Sequence, residues 1–316
     1  MPSPRFVHLR FHSEYSITDG IVRIDPMIHA VLEGGGAAVG ISDLMNVFGG
    51  LRFYTHALAA GLKPILGCDL KVINPKDLNK PFRLGVLCMN HEGYHSLSVL
   101  LTKAFLTNND AARGLVDPKW FDDGGSEGLI ALSGAAQGEL GSLLLGKKWA
   151  LAHEAAERFK AQFPGRFYVE LQRAGRPTDE LATARLANFA VEEKLPVVAT
   201  HPIQFLKPED FEAHEVRCSI AEGYTLQDPR RVKRYTPEQY LKSEAEMCEL
   251  FADIPAAIEN TVEIAKRCNL DGVLSKPQLP LFPTPDGMSL DDYIDQLSKE
   301  GLQKRLEFLY PDPKVL

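Results

Sequence analysis

Residues 6–12 read FVHLRFH, an alternation that sets Val7, Leu9 and Phe11 on one face of an extended strand and His8, Arg10 and His12 on the other. An apolar row backed by a row of basic side chains describes a strand with a core behind it and a polar site in front. Six more short apolar runs follow, at residues 37–41, 63–72, 82–87, 128–132, 167–171 and 195–199, making seven candidate strands. Helix patterns lie between them. Trp149, Ala152, Ala156, Phe159 and Phe163 share one face before Pro164-Gly165 stops the helix, and Leu51, Tyr54 and Leu58 do the same before Gly61. Strands alternating with helices predict an α/β fold with a largely parallel sheet, closed as a barrel or left open.

Beyond Thr200 the strand signal fades and helices are predicted over 208–221, 238–241, 243–251 and 255–268. Ser243 and Glu246 form a capping-box pair. Pro255 suits a first helical turn, and Ile258, Val262 and Ala265 give that helix its apolar face. These helices read as an extension packed on the α/β body. Prolines 277, 280, 283 and 285 then make a stiff stretch of the kind that separates folding units, followed by an amphipathic helix over 289–310. The expected division is 1–275 and 276–316.

With 45% hydrophobic and 24% charged residues, the 316-residue chain has globular composition, which excludes a disordered reading. Its formal charge of -7 has the wrong sign for gripping a polyanion, so little or no direct DNA binding is expected. No leader-like apolar stretch opens the chain and no run approaches the roughly 18 apolar residues a membrane span needs, so a cytoplasmic protein is expected, with no membrane partner. Cys68, Cys88, Cys218, Cys248 and Cys268 are scattered, without a C-x-x-C pair, and read as reduced thiols.

Polar residues recur at strand ends: Asp43, Asp69, Ser133, Glu170 and His201, with Asp19 nearby. In a barrel-like fold these ends share one rim, and His and carboxylate side chains gathered there suit a di- or trinuclear phosphoesterase centre. Ends that simply meet solvent would look the same. The run Gly34-Gly35-Gly36 leaves a helix and enters a strand, the reverse of a phosphate-cradling loop, and reads as a C-cap and connection. Arg230, Arg231, Lys233 and Arg234 beside Tyr235 suit either a phosphate backbone or acidic partner, or a solvated loop.

The segments VHLRFHSEYSITDGIVRI, GISDLMNVFGGLRFY and GLKPILGCDLKV resemble the opening of the bacterial replicative DNA polymerase III alpha subunits, of the C family. The later run from EDFEAHEVRCSIAEGYTLQDP to AAIENTVEIAKRCN is similar to the region just before their palm. The resemblance implies a polymerase and histidinol phosphatase (PHP) domain, a distorted seven-stranded (β/α) TIM-like barrel with a C-terminal helical extension. LPLFPTPDGMSLDDY resembles the lead-in to the palm, whose carboxylates bind Mg2+ and carry out nucleotidyl transfer and which these residues do not include. The implied partners are the remaining polymerase domains, the replicase assembly and the proofreading exonuclease (epsilon) subunit.

Metal-binding members of the PHP family use nine ligand positions. Carried onto this chain, the resemblance retains His12 and Asp19, puts Asp69 where a Glu is usual, and loses the rest. Arg10, Leu44 and Arg83 stand where His is expected, Ala135 where Cys is expected, and Pro202 and Gln204 where the closing Asp and His are expected. Arg, Leu, Ala and Pro side chains cannot coordinate a divalent cation. The expectation is therefore a vestigial pocket with no metal or other cofactor and a scaffold role. The alternative is a residual phosphoesterase or pyrophosphatase using one metal on His12, Asp19 and Asp69. A stand-alone histidinol-phosphatase relative is disfavoured by the helical segment after Thr200. Arg10 and Arg83 are expected to neutralise Asp19, Asp69, Asp43 and Glu170, with Arg10 paired to Asp19.

Overall fold

The β-rich runs form one sheet whose strands lie side by side in chain order: β1 (Ala38–Ile41), β2 (Lys63–Val72), β3 (Phe82–Cys88), β4 (Leu129–Leu132), β5 (Phe167–Gln172) and β6 (Val197–Thr200). This computed structural model describes residues 5–107, 114–122, 124–271 and 281–312. Strands β1, β4 and β5 are buried along their whole length, as their unbroken apolar runs require. The chain divides into two units, Met1–Val273 and Leu274–Leu316.

In the first unit, α1 (Ile24–Glu33) precedes β1, helices α2 (Gly50–Ala59), α3 (His91–Thr107), α4 (Glu139–Leu145), α5 (Trp149–Gln162) and α6 (Asp179–Glu192) lie between strands, and α7 (Phe211–Glu222), α8 (Glu244–Leu250) and α9 (Pro255–Arg267) follow the sheet. Gly34 caps α1 and Gly35 takes φ +78°, so the glycine run is the connection its context predicted. Ser243 caps α8 in a capping box with Glu246, and Pro255 opens α9. Val7, Leu9, Ala38, Ile65, Leu87, Ile130, Tyr168 and Val198 form an inner apolar cluster with Ile264 of α9. Every strand contributes to that cluster, so the sheet is curled, and α9 packs on it.

Several expectations need correction. Among the described residues the sheet has six strands, and the seventh expected one is not a regular strand. The segment 6–12 makes isolated parallel bridges, His8 with Val39 and Phe11 with Ile203. Side chains intercept its ladder bonds, since Val7 N–H donates to Thr261 Oγ1 and Phe11 N–H to Ser42 Oγ. Its alternation also breaks, because Phe11 joins the outer core while Val7 and Leu9 join the inner one. The sheet is mixed, with β3 antiparallel to both β2 and β4. Residues 238–241 are not helical; Tyr240 instead bridges Phe205. Helix α2 buries Phe53, Tyr54 and Ala57 while Leu51 and Leu58 are half exposed, and Trp149 of α5 is also exposed. Prolines 277 and 280, and the expected boundary after residue 275, lie outside the described residues.

The second unit contains α10 (Leu290–Leu309), capped by Ser289, whose Oγ accepts from Asp292 N–H, and preceded by a short turn at Pro285–Gly287. Among the described residues no helix is long and apolar enough to cross a membrane.

Candidate functional site: a buried guanidinium and carboxylate pocket

Strand ends and the segment 6–12 bring polar side chains to one small cavity of about 70 Å³. Its lining includes Arg10, His12, Asp19, Asp69, Arg83, Pro202 and Gln204, so seven of the nine positions carried over by resemblance meet there. Leu44 and Ala135 do not line it. Leu44 is buried in the outer core, held by its N–H to Ser16 Oγ, and Ala135 is buried in the turn behind Gly134.

Arg10 is the centre of the pocket. Its Nη2 lies 2.5 Å from Asp69 Oδ2, and its Nη1 donates to both oxygens of Glu170 at 3.2 and 3.1 Å. Glu170, fully buried, also accepts from Gly134 N–H, Gln172 Nε2 and the Thr200 hydroxyl. Gly134 must be glycine: its φ is +79°, and a Cβ would sit 2.1 Å from the Arg83 carbonyl oxygen. Asp69 Oδ2 is shared, accepting from Arg83 Nη1 at 3.2 Å with His12 Nε2 3.4 Å away. Burial works against its ionisation, yet the charges of Arg10, Arg83 and His12 hold the Asp69 carboxyl well below the usual range.

His12 bridges the two aspartates, with Nδ1 3.2 Å from Asp19 Oδ1. Burial opposes its charge, but the carboxylates of Asp19 and Asp69 prevail and push its pKa up to about 9, so the ring is an imidazolium at neutral pH. Asp19 is likewise held down by His12 and Arg83 against the cost of burial. Its Oδ2 accepts from Tyr235 O–H at 3.1 Å, and its backbone carbonyl accepts from His214 Nε2.

Arg10 therefore pairs with Asp69 and Glu170, not with Asp19 as expected. Asp43 is also misplaced in that expectation. It accepts from Ser13 N–H at 2.6 Å, Ser13 Oγ at 2.7 Å and Ser16 Oγ at 2.9 Å, and so ties down the loop after His12 with uncharged donors. Ser133 supports β5 by accepting from Glu170 N–H. His8 and His201 turn away from the cavity to the carbonyls of Lys242 and Glu238.

Sequence reasoning missed Gln137, Gln172 and Arg176, which also line the cavity. Arg176 follows β5 on the rim already identified, so the strand-end rule would have found it. The basic loop is not simply solvated: Arg231 is buried on Glu215 at 2.7 Å, and Arg234 and Tyr235 reach the cavity. Among the described residues, no three His, Cys, Asp or Glu side chains are grouped so as to hold a metal ion.

Residues 8–174 match the PHP domain family, just over half of the chain. DNA polymerase III subunit alpha of Neisseria meningitidis serogroup B is 49% identical over 314 residues, and that of Escherichia coli K12 is 44% identical over 312 residues. Each alignment covers 99% of this chain and 27% of the relative, so the chain spans about a quarter of the relatives' length. Among solved structures, an amidohydrolase from Chromobacterium violaceum is similar with a TM-score of 0.45 at 11% identity, over 63% of this chain and 87% of that one. The family match over just over half of the chain shows that the chain belongs to the PHP domain family, and the alignments show that it corresponds to the amino-terminal part of DNA polymerase III alpha subunits.

Proposed function

We propose that this chain is a structural and protein-docking scaffold of a cytoplasmic replicative DNA polymerase, its PHP pocket having exchanged metal chemistry for an internal ion-pair network. Residues 1–275 form the PHP domain with its helical extension, and 276–316 lead toward the polymerase body, where Mg2+-dependent nucleotidyl transfer resides. The bridges of segment 6–12 to Val39 and Ile203 support reading it as the seventh stave of a closed barrel.

The observation that carries the reading is Arg10 Nη2 at 2.5 Å from Asp69 Oδ2. A guanidinium stands against the carboxylate that a cation would need, and it cannot give way by losing its proton. Both nitrogens of His12 face carboxylates, and Leu44, Ala135 and Pro202 offer no donor atom. This set does not fit a divalent cation. The chain's acidic balance argues against DNA as its direct partner; the polymerase body and the proofreading exonuclease subunit are the partners that the resemblance implies.

Metal analysis of protein purified without chelator, combined with size-exclusion chromatography alongside the exonuclease, tests both halves. The expected result is no stoichiometric zinc, manganese or iron and a one-to-one complex. Stoichiometric metal with phosphoesterase or pyrophosphatase activity lost on His12→Ala would establish the single-metal alternative on His12, Asp19 and Asp69. Co-elution only when the polymerase body is attached would remove the docking role.

A further inference from the structure

Between Glu222, the last residue of α7, and Tyr240, which bridges Phe205, the chain forms neither helix nor strand. Its backbone hydrogen bonds within that stretch are local, from Asp228 N–H to Thr225 and from Arg231 N–H to Asp228. Its apolar side chains build no core, since Val232 is 63% exposed and Tyr224 and Leu226 are exposed as well. A segment with few buried apolar contacts and much solvent-facing backbone belongs to the low-stability end of a fold.

What fastens it is polar. Arg231 Nη1 lies 2.7 Å from Glu215 Oε2, Tyr235 O–H donates to Asp19 Oδ2 at 3.1 Å, and the Thr236 hydroxyl donates to the Ala174 carbonyl. The outer contacts are looser, with Arg231 and Arg234 each 3.6 Å from Glu222. The two ends differ in kind. Gly223, at φ +72°, ends α7 in a left-handed turn, whereas beyond Thr236 the backbone is tied to the body by Gln204 N–H to Gln239 and Leu241 N–H to Phe205. The stretch between is hinged at one end, anchored at the other, and held down by single side chains.

The Tyr235 ring meets His214 edge-on at 4.6 Å, and His214 Nε2 lies 3.7 Å from the Sγ of Cys218, which is 4% exposed. Arg234 and Tyr235 also form part of the cavity wall. In place, the segment therefore covers both the buried face of α7 and the pocket, whose ion pairs are strengthened by exclusion of water.

We propose that residues 223–236 are a hinged strap that opens as a unit while the sheet and α7 stay folded, with Tyr235 as its latch on Asp19. The pocket then passes between a closed, water-excluding state and an open, hydrated one.

Thiol labelling of the whole chain with iodoacetamide, resolved site by site by mass spectrometry across a urea series, tests this. Cys88 and Cys268 are core thiols that report global unfolding, and the partly exposed Cys248 sets the rate of an accessible one. Cys218 is expected to label faster than the core thiols and slower than Cys248, with a shallow urea dependence, because a strap uncovers little surface. Tyr235→Phe removes a hydrogen bond to a carboxylate and should speed Cys218 about tenfold while leaving Cys88 and Cys268 unchanged. Hydrogen exchange should show residues 224–236 exchanging while the amides of α7 stay protected. A Cys218 urea dependence as steep as that of Cys88 would mean that the site opens only with the whole fold, and would overturn the proposal in wild type without recourse to any variant. Labelling of Cys218 as fast as Cys248 would leave no closed state, an unchanged rate in Tyr235→Phe would leave no latch, and exchange of α7 together with residues 224–236 would make the opening unit the helix; each overturns it.

Discussion

His8 and His12 lie four residues apart on one extended segment, and both are buried, yet they end in opposite protonation states. Around His8 burial outweighs the Lys242 carbonyl, which accepts from its ring, and the Glu246 charge, so its pKa falls to about 4; His201, held by the Glu238 carbonyl, falls to about 3. Around His12 the burial cost is the same in kind, but Asp19 and Asp69 lie within ion-pair distance and raise it to about 9. Burial alone makes a histidine neutral, and it takes ionised partners held in place to reverse the sign. In the pocket that holding is done by Arg10 and Arg83, whose charges keep Asp69 ionised, and Arg10 also pairs with Glu170.

The strongest way to break this contrast is to remove Arg10. Arg10→Ala leaves Asp69 and Glu170 as buried charges without their main partner, and loss of one member of such a network typically costs about 3–5 kcal/mol. Urea denaturation at neutral pH is expected to show a loss of that size. Asp69→Asn in the same chain should recover part of it, because the two side chains share one interaction, while Asp19→Asn should recover less. Strict additivity with Asp69→Asn would mean that the 2.5 Å contact contributes nothing to stability.

Varying pH sharpens the comparison with an effect on the order of 3 kcal/mol. For His12 the folded pKa of about 9 exceeds the ordinary 6.5, so its stabilisation is complete below pH 6.5 and is lost as pH rises toward 9. For His8 and His201 the folded values lie below 6.5, so the unfolded chain takes up protons first and stability falls as pH drops from 6.5 toward 4. Stability is therefore expected to peak near pH 6.5. His12→Gln should flatten the alkaline limb and His8→Gln part of the acid limb. An alkaline limb that persists in His12→Gln would assign it to another group.

Much of this arrangement was legible in the chain, and the failures share a physical cause. Apolar β-rich runs locate the six strands found among the described residues, because a strand buried on both faces leaves an unbroken hydrophobic record. Capping residues fixed α8 and α9, because Ser243, Glu246 and Pro255 act within their own first turn. Segment 6–12 was misread as a regular strand because its bonding is decided by Ser42 and Thr261, far away in sequence. Arg10 lines the pocket among carboxylates, but its partners are not the one nearest in sequence. Asp19 is nearer along the chain, whereas the sheet brings Asp69 of β2 and Glu170 of β5 to it. Local rules recover what is local, and pairings made across the sheet were found only as a shared rim.

The smallest effect comes from an exposed network and sets the scale for the others. Glu246 Oε2 accepts from Ser243 N–H and Oγ–H at 2.7 Å each, its Oε1 accepts from Tyr240 O–H at 2.7 Å, and Ser243 Oγ accepts from Glu246 N–H in return. Partial burial opposes ionisation, but these donors and the Lys242 charge push the Glu246 carboxyl down to about 2, a displacement comparable in size to that of His12. Glu246 is exposed, however, so solvent screens the shift and it does not translate into stability as the buried one does. What Ser243 contributes is its cap. Ser243→Ala leaves an N-terminal N–H of α8 to water and is expected to cost about 1 kcal/mol in urea denaturation. Because the cap shares no partner with Arg10, the two changes should add within about 0.5 kcal/mol. A cost of 3 kcal/mol or more would equal that of the pocket, and would show that hydrogen-bond geometry, not exclusion of solvent, is what separates the two regions.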